Sequence, residues 1–335
     1  VVTHVTCDGW ANGSITDSVY GGVPGYTYLW DTGNSADTTH TITNLLIGTY
    51  DITVTDENNC TSDASATVND NDKLDVNVVN VQDVSCYGYC NGSIEVNISG
   101  GMPFYDSFGN EIYTNLWDDP LSQIDPTAIG LCADPNTLST NYTIIITDAI
   151  GCVVTESAAI TQPSELEVTA IVLDEVSCYS GNDGKLKATA VGGTPSGSSY
   201  TYDWNTGTTT TGVFSTLSNL GTGSYVVIAT DNNGCMDTTE IYLAEPTDLS
   251  VTVSSTNVSC HGFADGSITA NPTGGTPISP SGTYTYSWSD GQITQTATGL
   301  SPGFYTVIVT DKNGCVQSSS TYVNAVDAIF LPDFS

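Results

Sequence analysis

The 335-residue chain has no arginine and only four lysines, Lys73, Lys185, Lys187 and Lys312, so it holds no cluster of cations that could take phosphate. Against these stand 37 acidic residues, for a formal charge of −33. That balance repels nucleic acid and anionic membrane surfaces. Histidine is scarce as well. His4, His40 and His261 lie far apart, which leaves catalysis without a base held against a nucleophile or a metal. Carboxylates are plentiful, but none recurs among apolar neighbours that would raise its pKa, and an enzyme is not expected. The absence of any Cys-x-x-Cys pair argues against a zinc site. Also missing are a long apolar run, which excludes a membrane-spanning helix, and any sustained helical period. No secretion signal is recognisable, and Val1 stands as if in mid-strand, so the chain is expected to be a piece of a longer protein whose targeting signals lie elsewhere.

What is present is a stretch that occurs four times: Gly48 to Cys60, Asn141 to Cys152, Gly223 to Cys235 and Gly303 to Cys315. A tyrosine (Tyr50, Tyr142, Tyr225, Tyr305) precedes each cysteine by ten residues. Alternation after it places Ile52 and Val54, or Val307 and Val309, on the tyrosine's face, which predicts a half-buried strand. The turn that follows, clearest at Asp231–Gly234 and Asp311–Gly314, is rich in residues that tolerate a tight reversal. With threonine, valine, tyrosine and glycine abundant, the reading is all-β.

Around this stretch the chain divides into four units, 1–71, 72–163, 164–246 and 247–326, with 327–335 as a tail or the start of a further unit. Each unit opens with a strand ending near a first cysteine (Cys7, Cys86, Cys178, Cys260). An Asn-Gly or Asp-Gly turn follows at Gly13, Gly92, Gly184 and Gly266, and then a second strand closing on a double glycine that begins at Gly21, Gly100, Gly192 and Gly274. Pro24, Pro103, Pro195 and Pro277 come next. Length varies only between that proline and a strand tryptophan (Trp30, Trp117, Trp204, Trp288), where a solvated loop accepts insertions. The pattern Tyr-x-Tyr-x-Trp (Tyr284, Tyr286, Trp288) is read as core rather than as a sugar platform. Leu-x-x-Gly-x-Tyr, as at Leu220–Tyr225 and Leu300–Tyr305, resembles the tyrosine corner of immunoglobulin-like sandwiches. The predicted fold is therefore a tandem array of four immunoglobulin-like β-sandwiches. Short linkers, two of them carrying proline (Pro163, Pro246), should hold the units semi-rigidly in line.

Ten cysteines at recurring places argue for disulfides and an oxidising, extracellular setting. Eight fall into four equivalent pairs, predicting Cys7–Cys60, Cys86–Cys152, Cys178–Cys235 and Cys260–Cys315. Cys90 and Cys132 occur in the second unit alone and are replaced together elsewhere, as a mutual bond requires. A bond closing about 55 residues is worth ~4 kcal/mol on the chain-entropy model.

Taken together, Val-Ser-Cys, Asn-Gly-Ser-Ile, Gly-Gly-Thr-Pro, Tyr-Thr-Tyr-x-Trp and Gly-x-Tyr-Thr-Val-x-Val-Thr-Asp-x-Asn-Gly-Cys resemble the SprB repeat of very large surface adhesins of gliding, Bacteroidetes-type bacteria. Val258 to Cys315 is the fullest copy, and the second unit adds Cys90-Asn-Gly-Ser and Gly-Leu-Cys132. The resemblance implies a secreted filament or stalk on the bacterial outer surface, commonly exported by the type IX system and serving gliding motility or attachment. It implies no catalytic residue.

Several expectations follow for partners and ligands. Neighbouring repeats, and other chains of a filament, are the first partners. Surface glycans or proteins could be bound instead through the variable loops, including the insertions Asp106–Leu116 and Asp134–Asn141, with exposed aromatics such as Trp10. No cofactor is called for, though Asp70 and Asp72 in the first linker resemble the acidic linkers of calcium-set arrays, and Asp56 in a turn is a further calcium candidate. Asp17-Ser18-Val19 and Asp37-Thr38-Thr39 match a bacterial O-glycosylation pattern. Four sandwiches end to end predict a rod of about 150 Å.

Overall fold

In a computed structural model, residues 1–32, 37–70, 72–279 and 282–329 are described, and none of them is helical. The unit boundary at 71 and the tail residues 330–335 lie outside the described residues. The chain divides into two compact units, Val1–Glu165 and Leu166–Ser335.

In the first unit, Val2–Thr3, Gly13–Thr16 and Thr41–Leu45 make one antiparallel sheet, and Thr27–Trp30, Gly48–Thr55 and Thr61–Val68 a second. Between them Ile15, Ile42 and Leu45 of the first sheet meet Trp30, Ile52 and Val68 of the second, all buried. The plan is then repeated. Asp75–Gln82, Gly92–Ser99 and Thr127–Leu131 face Thr114–Trp117, Ser139–Thr147 and Val153–Thr161. Their core includes Ile94, Ala128, Leu131, Trp117 and Ile144. The insertion after Pro103 forms a separate two-stranded hairpin, Phe104–Tyr105 with Glu111–Ile112.

The second unit follows the same order. Glu167–Asp174, Gly184–Val191 and Phe214–Leu220 form one sheet, and Tyr200–Trp204, Gly223–Thr230 and Met236–Leu243 another, extended at its edge by Thr209–Gly212. Last come Ser250–Thr256, Gly266–Thr273 and Thr296–Leu300, facing Thr285–Trp288, Gly303–Thr310 and Val316–Val323. In each sandwich, strands one, two and four share a sheet and strands three, five and six share the other. That is the immunoglobulin arrangement, with the tryptophan on the third strand.

Each tryptophan is buried and sits opposite a buried aliphatic of the fifth strand: Trp30 with Ile52, Trp117 with Ile144, Trp204 with Val227 and Trp288 with Val307. The tyrosine corner is present in all four. Tyr50 donates its hydroxyl to Leu46 O at 2.9 Å, Tyr142 to Cys132 O at 2.8 Å, Tyr225 to Gly221 O at 2.8 Å and Tyr305 to Ser301 O at 3.0 Å.

One element differs from its expected role. Gly13, Gly92, Gly184 and Gly266 are not turn residues but the first residues of strands, and none has a positive φ. They are glycine because a methyl there would strike the core. At Gly184 a Cβ would lie 2.5 Å from Leu243 Cδ2 and 3.0 Å from Leu220 O. The opposing carbonyl comes close because the fourth strand bulges just before it, at a left-handed residue in every copy: Asn44, Gly130, Asn219 and Gly299.

Candidate functional site: the cysteine junction

Two preformed pieces of each repeat meet at the cysteines. The first is the loop carrying the first cysteine. The Asn or Asp before the strand glycine reaches back over it, so that Thr6 N donates to Asn12 Oδ1, Ser85 N to Asn91 Oδ1, Ser177 N to Asp183 Oδ1 and Ser259 N to Asp265 Oδ1, at 2.9–3.1 Å. The Ser177 and Ser259 hydroxyls, followed by their amides, hold the Asp183 and Asp265 carboxyls below the ordinary range.

The second piece is the hairpin turn before the second cysteine, organised by one aspartate. Asp311 Oδ1 accepts from Asn313 N and Cys315 N, both at 2.9 Å, while Oδ2 accepts from Thr276 N at 2.8 Å. Asp231 and Asp148 do the same in their repeats. So does Asp56, with Asn58 N, Cys60 N and Val23 N. The Cys60 and Val23 amides, ahead of Asn58, depress the Asp56 pKa. The residue singled out as a calcium candidate thus has both oxygens engaged by backbone amides. Of the other two, Asp70 forms an isolated bridge with Val5, and its carboxyl is pushed up by burial first and by the charge of Asp8 second. Asp72 accepts from Gly101 N through its carbonyl at 2.7 Å. Among the described residues, no three of His, Cys, Asp or Glu converge where they could hold a metal.

The disulfides correct the sequence reading. Cys7 bonds to Cys152, with Cα atoms 5.5 Å apart and a sequence separation of 145 residues. Cys178 bonds to Cys315, at 5.7 Å and 137 residues. Cys60 and Cys260 are free thiols, both exposed. The expected Cys7–Cys60, Cys86–Cys152, Cys178–Cys235 and Cys260–Cys315 pairs are therefore not formed. Cys86 and Cys235 are nonetheless disulfide-bonded. In both units the first cysteine of one repeat joins the second cysteine of the next. Cys90–Cys132, as expected, lies within a repeat, at a Cα separation of 4.2 Å.

The physical reason is the placement of the two pieces. Within a repeat the loop and the turn belong to different sheets, whereas inside each compact unit the loop of the first repeat lies on the turn of the second. Around Cys315 the side chain of Asn313 donates to Ser177 O at 2.9 Å. Around Cys152 the successor's Lys73 pairs with Asp8 at 3.2 Å, an exposed contact of little energetic weight. Cys7 is buried in the core cluster of the second repeat, which also holds Val84 and Ile146.

The fold and junction define a class: tandem immunoglobulin-like sandwiches joined covalently between repeats. The SprB repeat family matches four segments of this chain, 1–35, 78–106, 170–209 and 252–293. Each segment runs from a first strand through a first cysteine to the double glycine or beyond. No curated protein matches the sequence. Among solved structures, the chain is similar to the N-terminal eight Ig domains of Down syndrome cell adhesion molecule, at 12% identity and a TM-score of 0.38, covering 98% of this chain and 49% of that one. It thus spans about half the length of that structure. It is also similar to part of a 1.5-MDa bacterial ice-binding adhesin, at 13% identity and a TM-score of 0.33, covering 76% of this chain and 99% of that one. These are likenesses of fold alone.

Proposed function

We propose that the chain is a tension-bearing segment of a secreted bacterial surface adhesin, serving gliding motility or attachment, with no catalytic role. The observation that carries this reading is the pair of inter-repeat bonds, Cys7–Cys152 and Cys178–Cys315. A bond within a repeat only limits how far that repeat opens. A bond from one repeat to the next gives tension a covalent path around most of two repeats, so their hydrogen-bonded strands are spared. The SprB matches, the −33 charge and the oxidised cysteines fit a soluble segment outside the cell. Repetition of the same disulfide-bonded sandwich suits a stalk.

Pulling single molecules from Val1 and Ser335 tests this. Under oxidising conditions the segments 7–152 and 178–315 should contribute no extension. With a reductant each should release roughly 500 Å. Release of those lengths without reductant removes the reading.

A second reading, adhesion by a loop, is favoured by one feature of one repeat. The hairpin Phe104–Ile112 exposes Phe104, Tyr105, Phe108 and Ile112 together, with Phe108 88% exposed. Its turn is fixed by Asp106, whose Oδ1 accepts from Phe108 N and Asn110 N. Rigid exposed aromatics of this kind suit a protein or glycan surface. Binding to a glycan panel that is lost when Tyr105 and Phe108 become serine supports this reading, and equal binding by that variant rejects it.

A further inference from the structure

The two free thiols occupy opposite halves of the junction that is closed elsewhere in the chain. Cys60 is the equivalent of Cys152 and Cys315, and Cys260 is the equivalent of Cys7 and Cys178. We propose that Cys260 and Cys60 form a head-to-tail covalent junction between this chain and a further repeat of the same kind, for which a second copy of the chain serves: Cys260 of one copy bonds to Cys60 of the next.

Both halves already have the shape they have when paired. Cys60 N donates to Asp56 Oδ1 at 2.9 Å, as Cys315 N does to Asp311. Asn59 takes the left-handed conformation that Gly151 and Gly314 take before the paired cysteines. On the other side, Phe263 N closes the loop on Cys260 O at 3.1 Å, as Trp10 N does on Cys7 O. The paired equivalents Cys7 and Cys152 are buried and Cys178 and Cys315 are half-buried, whereas Cys60 and Cys260 are exposed.

The surface beside Cys60 fits an incoming loop. A cleft of about 430 Å³ opens there, walled by Tyr20, Tyr26, Asp56, Thr61 and Cys60 itself. Tyr20 stands 95% exposed at its rim, in a position held by Ser99, Val191 and Thr273 in the other repeats. Asn58 occupies the place of Asn313, whose amide side chain reaches Ser177 O across the closed junction. The equivalent of Ser177 is Ser259, next to Cys260, so the same hydrogen bond can form between copies.

Closure is an oxidation, with a low-molecular-weight disulfide such as glutathione disulfide as oxidant. The Cys260 thiolate attacks one glutathione sulfur and expels a glutathione thiolate. The Cys60 thiolate of the next copy then attacks the Cys260 sulfur of the mixed disulfide and expels the second. Two protein thiols lose two protons and two electrons, and one glutathione disulfide becomes two glutathione thiols.

The test uses the whole 335-residue chain in a glutathione redox buffer, with non-reducing electrophoresis and mass mapping of the cross-linked peptides. The wild type should give a ladder of covalent multimers linked by Cys60–Cys260 peptides. Cys60→Ser and Cys260→Ser should each lose the ladder, and their equimolar mixture should regain a single dimer band. Retention of Cys7–Cys152 and Cys178–Cys315 in both variants shows that they are folded. Absence of multimers, a Cys60–Cys260 bond closed within one monomer, or Cys60–Cys60 and Cys260–Cys260 peptides in statistical proportion overturns the proposal. It extends the tension-bearing reading, yet none of these outcomes touches that reading, which stands on the extension of the monomer.

Discussion

Asp231 lies so close over Gly193 that a Cβ on the glycine would sit 2.5 Å from the carboxylate Oδ2, while Gly193 itself holds a φ of +59°. The same pairing joins Asp56 to Gly22, Asp148 to Gly101 and Asp311 to Gly275. One carboxylate thus ties the hairpin turn that carries the second cysteine to the double-glycine loop of the opposite end of the sequence motif. The second glycine is needed for two reasons, its left-handed backbone and the oxygen above it.

Gly193→Ala should therefore destabilise its repeat by about 1–2 kcal/mol from backbone strain alone, with the clash adding to this. Asp231→Ala should cost more, about 3 kcal/mol, because it strips the acceptor from the amides of Thr194, Asn233 and Cys235. Urea unfolding midpoints measure both, with the exposed Asp327→Ala as the neutral control.

The tyrosine corner should be worth a single hydrogen bond in each repeat. Tyr225→Phe, which removes the bond to Gly221 O, is expected to lower stability by about 1 kcal/mol and to leave the fold intact. Tyr322→Phe, at a half-exposed position, should have no measurable effect. Thermal unfolding of the two variants side by side distinguishes them.

The Cys90–Cys132 bond closes 42 residues and should contribute up to about 4 kcal/mol to its own repeat. The double change Cys90→Ala with Cys132→Ala should lower the melting temperature of that repeat and leave the mechanical response of the inter-repeat bonds unaltered. Non-reducing digestion should recover Cys7 with Cys152 and Cys178 with Cys315, and alkylation before unfolding should label Cys60 and Cys260 first in the monomer.

Acid should loosen the cysteine loops and turns from one direction. Hydrogen bonds hold the native pKa values of Asp56, Asp183 and Asp265 below the unfolded value. The stabilisation they give is full above that unfolded value, near pH 4, and is lost as pH falls through the lower native values. Unfolding midpoints measured from pH 5 down to pH 2 should fall. Asp183→Asn and Asp265→Asn together should flatten that fall.

The repeat and its architecture were legible in the sequence because strand alternation and tight turns are local signals. The tryptophans at Trp30, Trp117, Trp204 and Trp288 and the tyrosines ten residues before each second cysteine identified the core strands from spacing alone. The inner pair, Cys90 with Cys132, was legible as well, since both residues appear in one repeat and vanish from the others.

The partners of the remaining cysteines were not, and the cause lies in the periodicity itself. In an array of equivalent repeats, pairing each first cysteine with the second cysteine of its own repeat and pairing it with that of the next repeat have the same sequence spacing pattern. Composition, alternation and turn residues are identical in the two cases. What separates them is where the loop of one repeat rests, and that depends on how successive sandwiches pack. In this fold the loop at Cys7 or Cys178 and the turn at Cys152 or Cys315 are brought to Cα separations of 5.5 and 5.7 Å across a repeat boundary. The sequence alone determined which cysteines are equivalent. Only the tertiary structure decided which of them touch.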